Sequence, residues 1–99
     1  MGQNFIMKYI IYSTGSNPFP MPLLFPDEAG HDDVGWGINQ QDGTIHSAGF
    51  VSLGDTTKTY GKSVSLGVQS KPEDAELIDA FVKGDTERFK KASYSRRRS

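Results

Sequence analysis

Ninety-nine residues, 35% of them hydrophobic, make one domain with a modest core, since a chain of this size buries only about 60–65% of the surface it exposes when unfolded. The absence of cysteine excludes disulfides, thiolate metal sites and cysteine nucleophiles. A net charge of −1 conceals an asymmetry: residues 1–86 carry 5 Lys against 11 Asp and Glu, whereas residues 87–99 carry 6 Lys and Arg against Glu87 alone.

Residues 1–5 read as a leader or an alternative start ahead of Met7. From Ile6 to Ser13 the chain is β-branched and aromatic on both faces, which predicts a central strand covered on both sides or one at an oligomer seam. The longest apolar run, Tyr9-Ile10-Ile11-Tyr12, is far below the roughly 20 residues that span a bilayer and lacks the flanks of a signal peptide. No membrane partner is expected, and a reducing cytoplasm fits.

Thr14 to Pro20 predicts a loop, because Pro18 and Pro20 bias their predecessors to extended conformations. Met21 to Phe25 is then a second strand, closing a hairpin-like unit. A short helix is predicted within Pro26–Val34, with Pro26 in its first turn and early acids favourable to the dipole. Asn39 to Gly43 reads as a turn, Asp-Gly being a hairpin signal. The next strand, Thr44 to Leu53, places Ile45, Ser47, Gly49, Val51 and Leu53 on one face and His46, Ala48, Phe50 and Ser52 on the other. Its partner, Lys58 to Leu66, puts Tyr60, Lys62, Val64 and Leu66 on one face and Thr59, Gly61, Ser63 and Ser65 opposite.

Ser70-Lys71-Pro72-Glu73 predicts a capping box. The helix it opens carries Ala75, Leu77, Ile78, Phe81 and Val82 as its packed stripe, and Gly84 at C′ ends it. Asp85 or Thr86 caps a last short helix containing Phe89, and order is expected to fade after Lys91. The sum is an α+β fold: a small antiparallel or mixed β-sheet, a short helix after strand 2 and C-terminal helices packed on the sheet. Residues 1–91 form the domain and residues 92–99 a basic disordered tail. Arg96-Arg97-Arg98 reads as a solvated end, so nucleic-acid binding is not expected. A core this small favours pairing with further copies, as a homodimer or higher oligomer.

Gly61-Lys62-Ser63 has the ending of a phosphate-binding P-loop, but Thr56 stands where that motif needs glycine, and alternation predicts strand where it needs helix. Lys62 and the neighbouring hydroxyls remain possible side-chain donors to a phosphate; the bland alternative is a lysine facing water on a half-exposed sheet. His31, Asp32, Asp33 and His46 have no metal-ligand spacing, and His31 with Asp33 lacks a nucleophile. No cofactor, no metal and no enzymatic activity are expected. Phe19, Phe25, Trp36, Phe50 and Tyr60 are singly ordinary core residues. Gathered with hydroxyls and glycines around one hairpin, they point to stacking on a nucleotide-sized ligand.

The blocks Lys8-Tyr9-Ile10-Ile11-Tyr12, Phe25-Pro26, His31-Asp32-Asp33-Val34, Ser47-Ala48-Gly49-Phe50, Tyr60-Gly61-Lys62-Ser63-Val64-Ser65-Leu66-Gly67 and Ser70 to Ile78 together resemble small bacteriophage proteins, specifically the Thoeris anti-defence sponge family. That family sequesters a cyclic ADP-ribose-type signal made by bacterial TIR enzymes. The resemblance covers roughly residues 8–80. It implies a viral anti-defence protein of the host cytoplasm that holds a small cyclic nucleotide, undegraded, in pockets between protomers. Family pockets place arginines on pyrophosphate; the only arginines here are Arg88 and the tail trio, so Lys62 or Arg88 must take that role. The expected binding residues are Phe50, Tyr60, Lys62, Ser63 and Arg88, with His31 and Asp33 next. Two other readings are a protein-binding inhibitor, whose acidic body occupies a basic surface of a host defence enzyme, and a nucleotide-degrading enzyme, disfavoured by the missing nucleophile.

Overall fold

A computed structural model of the chain describes residues 5–40 and 42–97. Tyr9, Ile10 and Ile11 are wholly buried because β1 (Phe5–Thr14) is paired along both edges and covered on both faces. It runs antiparallel to β2 (Met21–Phe25) on one side and β3 (Gly43–Leu53) on the other. A short β4 (Lys58–Tyr60) pairs with the far edge of β3, giving the sheet order β2-β1-β3-β4. Proline at position 22 is tolerated because β2 is an edge strand. The fold is α+β.

Successive strand residues face opposite ways, so β1 feeds two cores. Tyr9 and Ile11 join Val51 under Leu77 and Ile78 of α2 (Asp74–Lys83), with Phe89 and Ala92 of α3 (Thr86–Arg97) packed alongside. Ile10 joins Phe25 and Ala48 on the other face, under Ile38 of α1 (His31–Gln40) and against Leu66 and Val68. Each large side chain buried this way contributes roughly 1.5–3 kcal/mol.

Several local expectations are corrected. Pro26–Ala29 is a turn, closed by the Ala29 amide on the Pro26 carbonyl at 3.0 Å, and the helix starts only at His31, where Asp32 and Asp33 occupy the dipole-favoured first turn. Because α1 runs to Gln40, Asp42-Gly43 joins a helix to a strand and is no hairpin turn, with Asp42 at φ 59°. A register shift between Ile11 and Tyr12 pairs Ile11 with Ser47 but Tyr12 with Ile45, so the ladder skips His46. This β-bulge turns Ile45 to the α1 face and breaks the predicted face assignment of β3.

The predicted strand 58–66 ends at Gly61, whose φ of +77° takes the chain out of extended conformation. The chain then forms a small second sheet of β5 (Lys62–Ser63) and β6 (Val68–Gln69), joined by a turn in which the Gly67 amide bonds the Ser63 carbonyl at 3.0 Å. Tyr60, Lys62, Val64 and Leu66 therefore share no sheet face. The Ser70–Glu73 capping box is also absent: Glu73 precedes α2 with no side-chain cap, and the Asp74 carboxylate accepts the Lys71 amide at 2.9 Å. On α2 the packed stripe is Leu77, Ile78 and Ala80, leaving Phe81 45% and Val82 50% exposed. Gly84 ends the helix in the left-handed region, as a C′ glycine does. Asp85 caps α3, its Oδ1 accepting the Arg88 amide at 3.2 Å. That helix passes the expected limit at Lys91 and reaches Arg97, since Ala92 packs on the core and the Ser93 hydroxyl donates to the Pro20 carbonyl at 2.6 Å. Residues 1–4 and 98–99, parts of the predicted leader and tail, lie outside the described residues.

Candidate functional site

The crossing of the chain over Gly49 organises the region around the hairpin. A Cβ at Gly49 would stand 2.6 Å from the Tyr60 carbonyl oxygen and 3.1 Å from Ser70 Cβ, so only glycine lets the segment leaving β4 pass this close to β3. Phe50, next in β3, is the register partner of Tyr60 and stacks on it at 5.7 Å and 19°. From the other side the His31 ring meets Phe50 edge-on at 6.0 Å and Phe25 at 5.4 Å, completing a ladder Phe25–His31–Phe50–Tyr60. His31 is held by its Nε2, 3.0 Å from the Gly49 carbonyl. A carbonyl can only accept, so that nitrogen carries the proton. The ladder is buried at its Phe25–His31 end and opens at Tyr60, which is 44% exposed.

Beyond Tyr60 the chain lines a hollow of about 570 Å³, bounded by Lys62, Ser63, Gln69, Lys71 and His46. The bulge at His46 places that side chain here, and its Nε2 shares a 2.8 Å hydrogen bond with the Ser13 hydroxyl. No described Asp or Glu lines this hollow, and neither lysine is ion-paired among the described residues. Two of the five lysines in residues 1–86, a stretch with 11 acids, thus share one cavity free of carboxylate. The volume falls in the range of ligand pockets, about 300–1,000 Å³.

The sequence-predicted residues do not all come together. Phe50 and Tyr60 belong to the ladder, and Lys62 and Ser63 line the hollow. Ser63 is only 2% exposed, and its hydroxyl already accepts the Leu66 amide at 3.3 Å, so it shapes the turn beside the cavity. His31 is buried in the ladder and reaches a ligand only through Phe50. Asp33 is exposed on the first turn of α1, where its carboxylate repels anions. Arg88, in the first turn of α3, bonds Glu76 and Asp79 of α2, each at 3.0 Å, with Asp85 at 3.8 Å. An anion at Arg88 must compete with these carboxylates. Lys71, Gln69 and His46 did not emerge from sequence reasoning. Lys71 sits among the residues read as a helix cap, and His46 is brought to the cavity by a bulge that alternation does not reveal.

Tyr9 and Asp79, which tie α2 to its neighbours, are displaced from their ordinary ranges. Burial, reinforced by the Asp74 carboxylate 2.5 Å away, raises the Tyr9 hydroxyl well above the usual phenol range. The Thr57 hydroxyl at 2.7 Å, then Arg88 and Lys83, hold Asp79 down at about 2. Both groups fasten α2: Tyr9 to the sheet, Asp79 to the β3–β4 loop and α3. Among the described residues no group of three or more His, Asp or Glu is placed to hold a metal ion, and no helix is long and apolar enough to cross a membrane.

The α+β fold thus carries an aromatic ladder that reaches the surface at Tyr60 and a cationic hollow lined by Lys62 and Lys71. Comparison of the chain with protein-family models, curated proteins and solved structures returned no match.

Proposed function

We propose that this protein binds and sequesters a small cyclic nucleotide without degrading it, acting as a phage anti-defence protein in the host cytoplasm. The observation that carries the reading is the pairing of Lys62 and Lys71 across one carboxylate-free hollow in an otherwise acidic body. An exposed Tyr60 ring lies two positions before Lys62 in the chain. Two ammonium groups supply charge-assisted contacts to phosphates, each worth on the order of 1–3 kcal/mol when partly desolvated, and base stacking on an aromatic ring adds about 1–3 kcal/mol. A cyclic ADP-ribose-type signal, the class implied by the family resemblance, joins a planar base to an anionic pyrophosphate and uses both halves. Assembly as a homodimer or higher oligomer would bring a second copy's surface to the open side of the hollow.

The test is retention. Purified protein is incubated with cyclic ADP-ribose and related cyclic nucleotides, passed through a size filter, heated, and filtered again, with each filtrate assayed by mass spectrometry. One nucleotide is expected to be retained and then released with unchanged mass; passage of every nucleotide at the first filtration sinks the reading, and a changed mass replaces it with an enzymatic one.

A second reading is a protein-binding inhibitor of a host defence enzyme, favoured by α1, where Trp36 is 66% exposed on the same helix as the exposed Asp32 and Asp33. An aromatic ring flanked by carboxylates suits a basic protein surface. A stoichiometric host protein recovered with nucleotide-free chain, and lost in Trp36→Ala, would favour it.

A further inference from the structure

A second cavity shares no residue with the cationic hollow and has opposite chemistry. It is a cleft of about 460 Å³ between α3 and the loop that joins β1 to β2, walled by Phe19, Met21, Phe89 and Tyr94. Phe19 and Tyr94 stack at 5.9 Å and 27°, forming one continuous aromatic wall. The polar groups at its margin are already engaged. The Asn17 amide donates to Met21 sulfur at 3.0 Å while its carbonyl accepts the Phe19 amide at 3.3 Å, and the Ser93 hydroxyl donates to the Pro20 carbonyl at 2.6 Å. What remains for a ligand is apolar surface and one cation, Lys90, which lines the cleft and is ion-paired to no described residue.

The cleft is also built in advance. The loop that forms its wall is closed by reciprocal Thr14–Asn17 backbone hydrogen bonds of 2.9 and 3.2 Å, carries Pro18 and Pro20, and is pinned to α3 through the Ser93 bond. A cavity held open this way costs little ordering when filled, which is the condition under which apolar contact turns into affinity. Its volume suits one small molecule. Charge complementarity defines the end of that molecule that meets Lys90.

We propose that this cleft binds a small amphiphile, an apolar chain or ring bearing one terminal carboxylate or similar anion, with the apolar body against Phe19, Met21, Phe89 and Tyr94 and the anion at Lys90. The full-length protein is titrated with decanoate and, separately, with decanol, following the Met21 methyl resonance by NMR and the mass of the protein by analytical ultracentrifugation. Saturable decanoate binding at one site per chain is expected, about fivefold tighter than decanol, with the preference removed by Lys90→Glu, an exposed position that leaves the fold intact. Met21→Glu, which sets a carboxylate inside the cleft, abolishes decanoate binding. Lys62→Glu leaves it unchanged, which separates failure of this inference from failure of the nucleotide reading. Absence of saturable binding, equal affinity for the two probes, or a dimer that excludes decanoate until it dissociates each overturns the proposal.

Discussion

The Tyr9 hydroxyl, at the centre of β1, donates a 2.5 Å hydrogen bond to the Asp74 carboxylate at the first residue of α2, both side chains being fully buried. Asp74 uses the same oxygen to accept the Lys71 amide at 2.9 Å, so a single carboxylate both docks the helix on the sheet and closes the turn leading into it. Since Lys71 lines the cationic hollow, this contact also sets where one of its two charges stands.

Removing the hydroxyl strips a buried carboxylate of a donor, which costs the desolvation of that group. Tyr9→Phe is expected to lower stability by about 1–3 kcal/mol in urea unfolding, and Asp74→Ala by more. A double mutant that loses no more than the larger single change shows that the two act as one unit; full additivity of the two losses contradicts the coupling.

Asp79 is held at about 2, chiefly by the Thr57 hydroxyl and then by Arg88 and Lys83. Its folded value lies below the unfolded carboxylate value of about 3.9. The stabilisation it contributes is therefore fully present above about pH 4 and is lost as pH falls through about 2. Asp79→Asn is expected to cost from a few tenths to about 1 kcal/mol at neutral pH, the range of solvent-screened ion pairs, and the difference from wild type should vanish in acid. Thr57→Val should shift the Asp79 carboxyl titration upward when followed by carbon-13 NMR; an unmoved titration would show that the hydroxyl does not hold it.

Gly49→Ala places a methyl 2.6 Å from the Tyr60 carbonyl oxygen, a backbone atom that cannot swing aside. A loss of about 1–3 kcal/mol is expected from this overpacking, with the Phe50–Tyr60 stack disturbed in near-ultraviolet circular dichroism. Gly67 has φ +68° but open space around it, so Gly67→Ala should cost only about 1 kcal/mol of backbone strain and leave the aromatic signal alone.

Charge reversal separates the cationic hollow from the ion-pair cluster. Lys62→Glu and Lys71→Glu are each expected to weaken nucleotide retention by about tenfold or more, and retention by the wild type should fall with added salt. Arg88→Lys should leave retention unchanged, because the Arg88 guanidinium is engaged by Glu76 and Asp79. Retention that depends on Arg88 and not on the two lysines would move the site to the α2–α3 side.

Much of the framework was legible because it rests on local rules. The two-faced apolar run at Tyr9–Tyr12 announced a central strand, Gly84 announced the end of α2, and the prolines around Phe19 announced a loop. Short-range chemistry decides each of these: alternation, left-handed backbone and fixed φ.

Long-range contacts decided the rest. Asp74, rather than Ser70, governs the start of α2 because a buried tyrosine 65 positions earlier in the chain draws its carboxylate inward. Arg88 reads as a free cation in sequence and is paired to acids nine and twelve residues away. Lys71 and Lys62, nine residues apart, line one hollow on the segment that Gly49 lets pass close to β3, and His46, at the β3 bulge, lines it too. Residue order thus determined the main strands and helices, because their periods are written along the chain, while a bulge in β3 and the break at Gly61 decided which faces are buried. Tertiary structure alone determined which charges are spent on one another and which are left for a ligand, because charge pairing depends on distance in space.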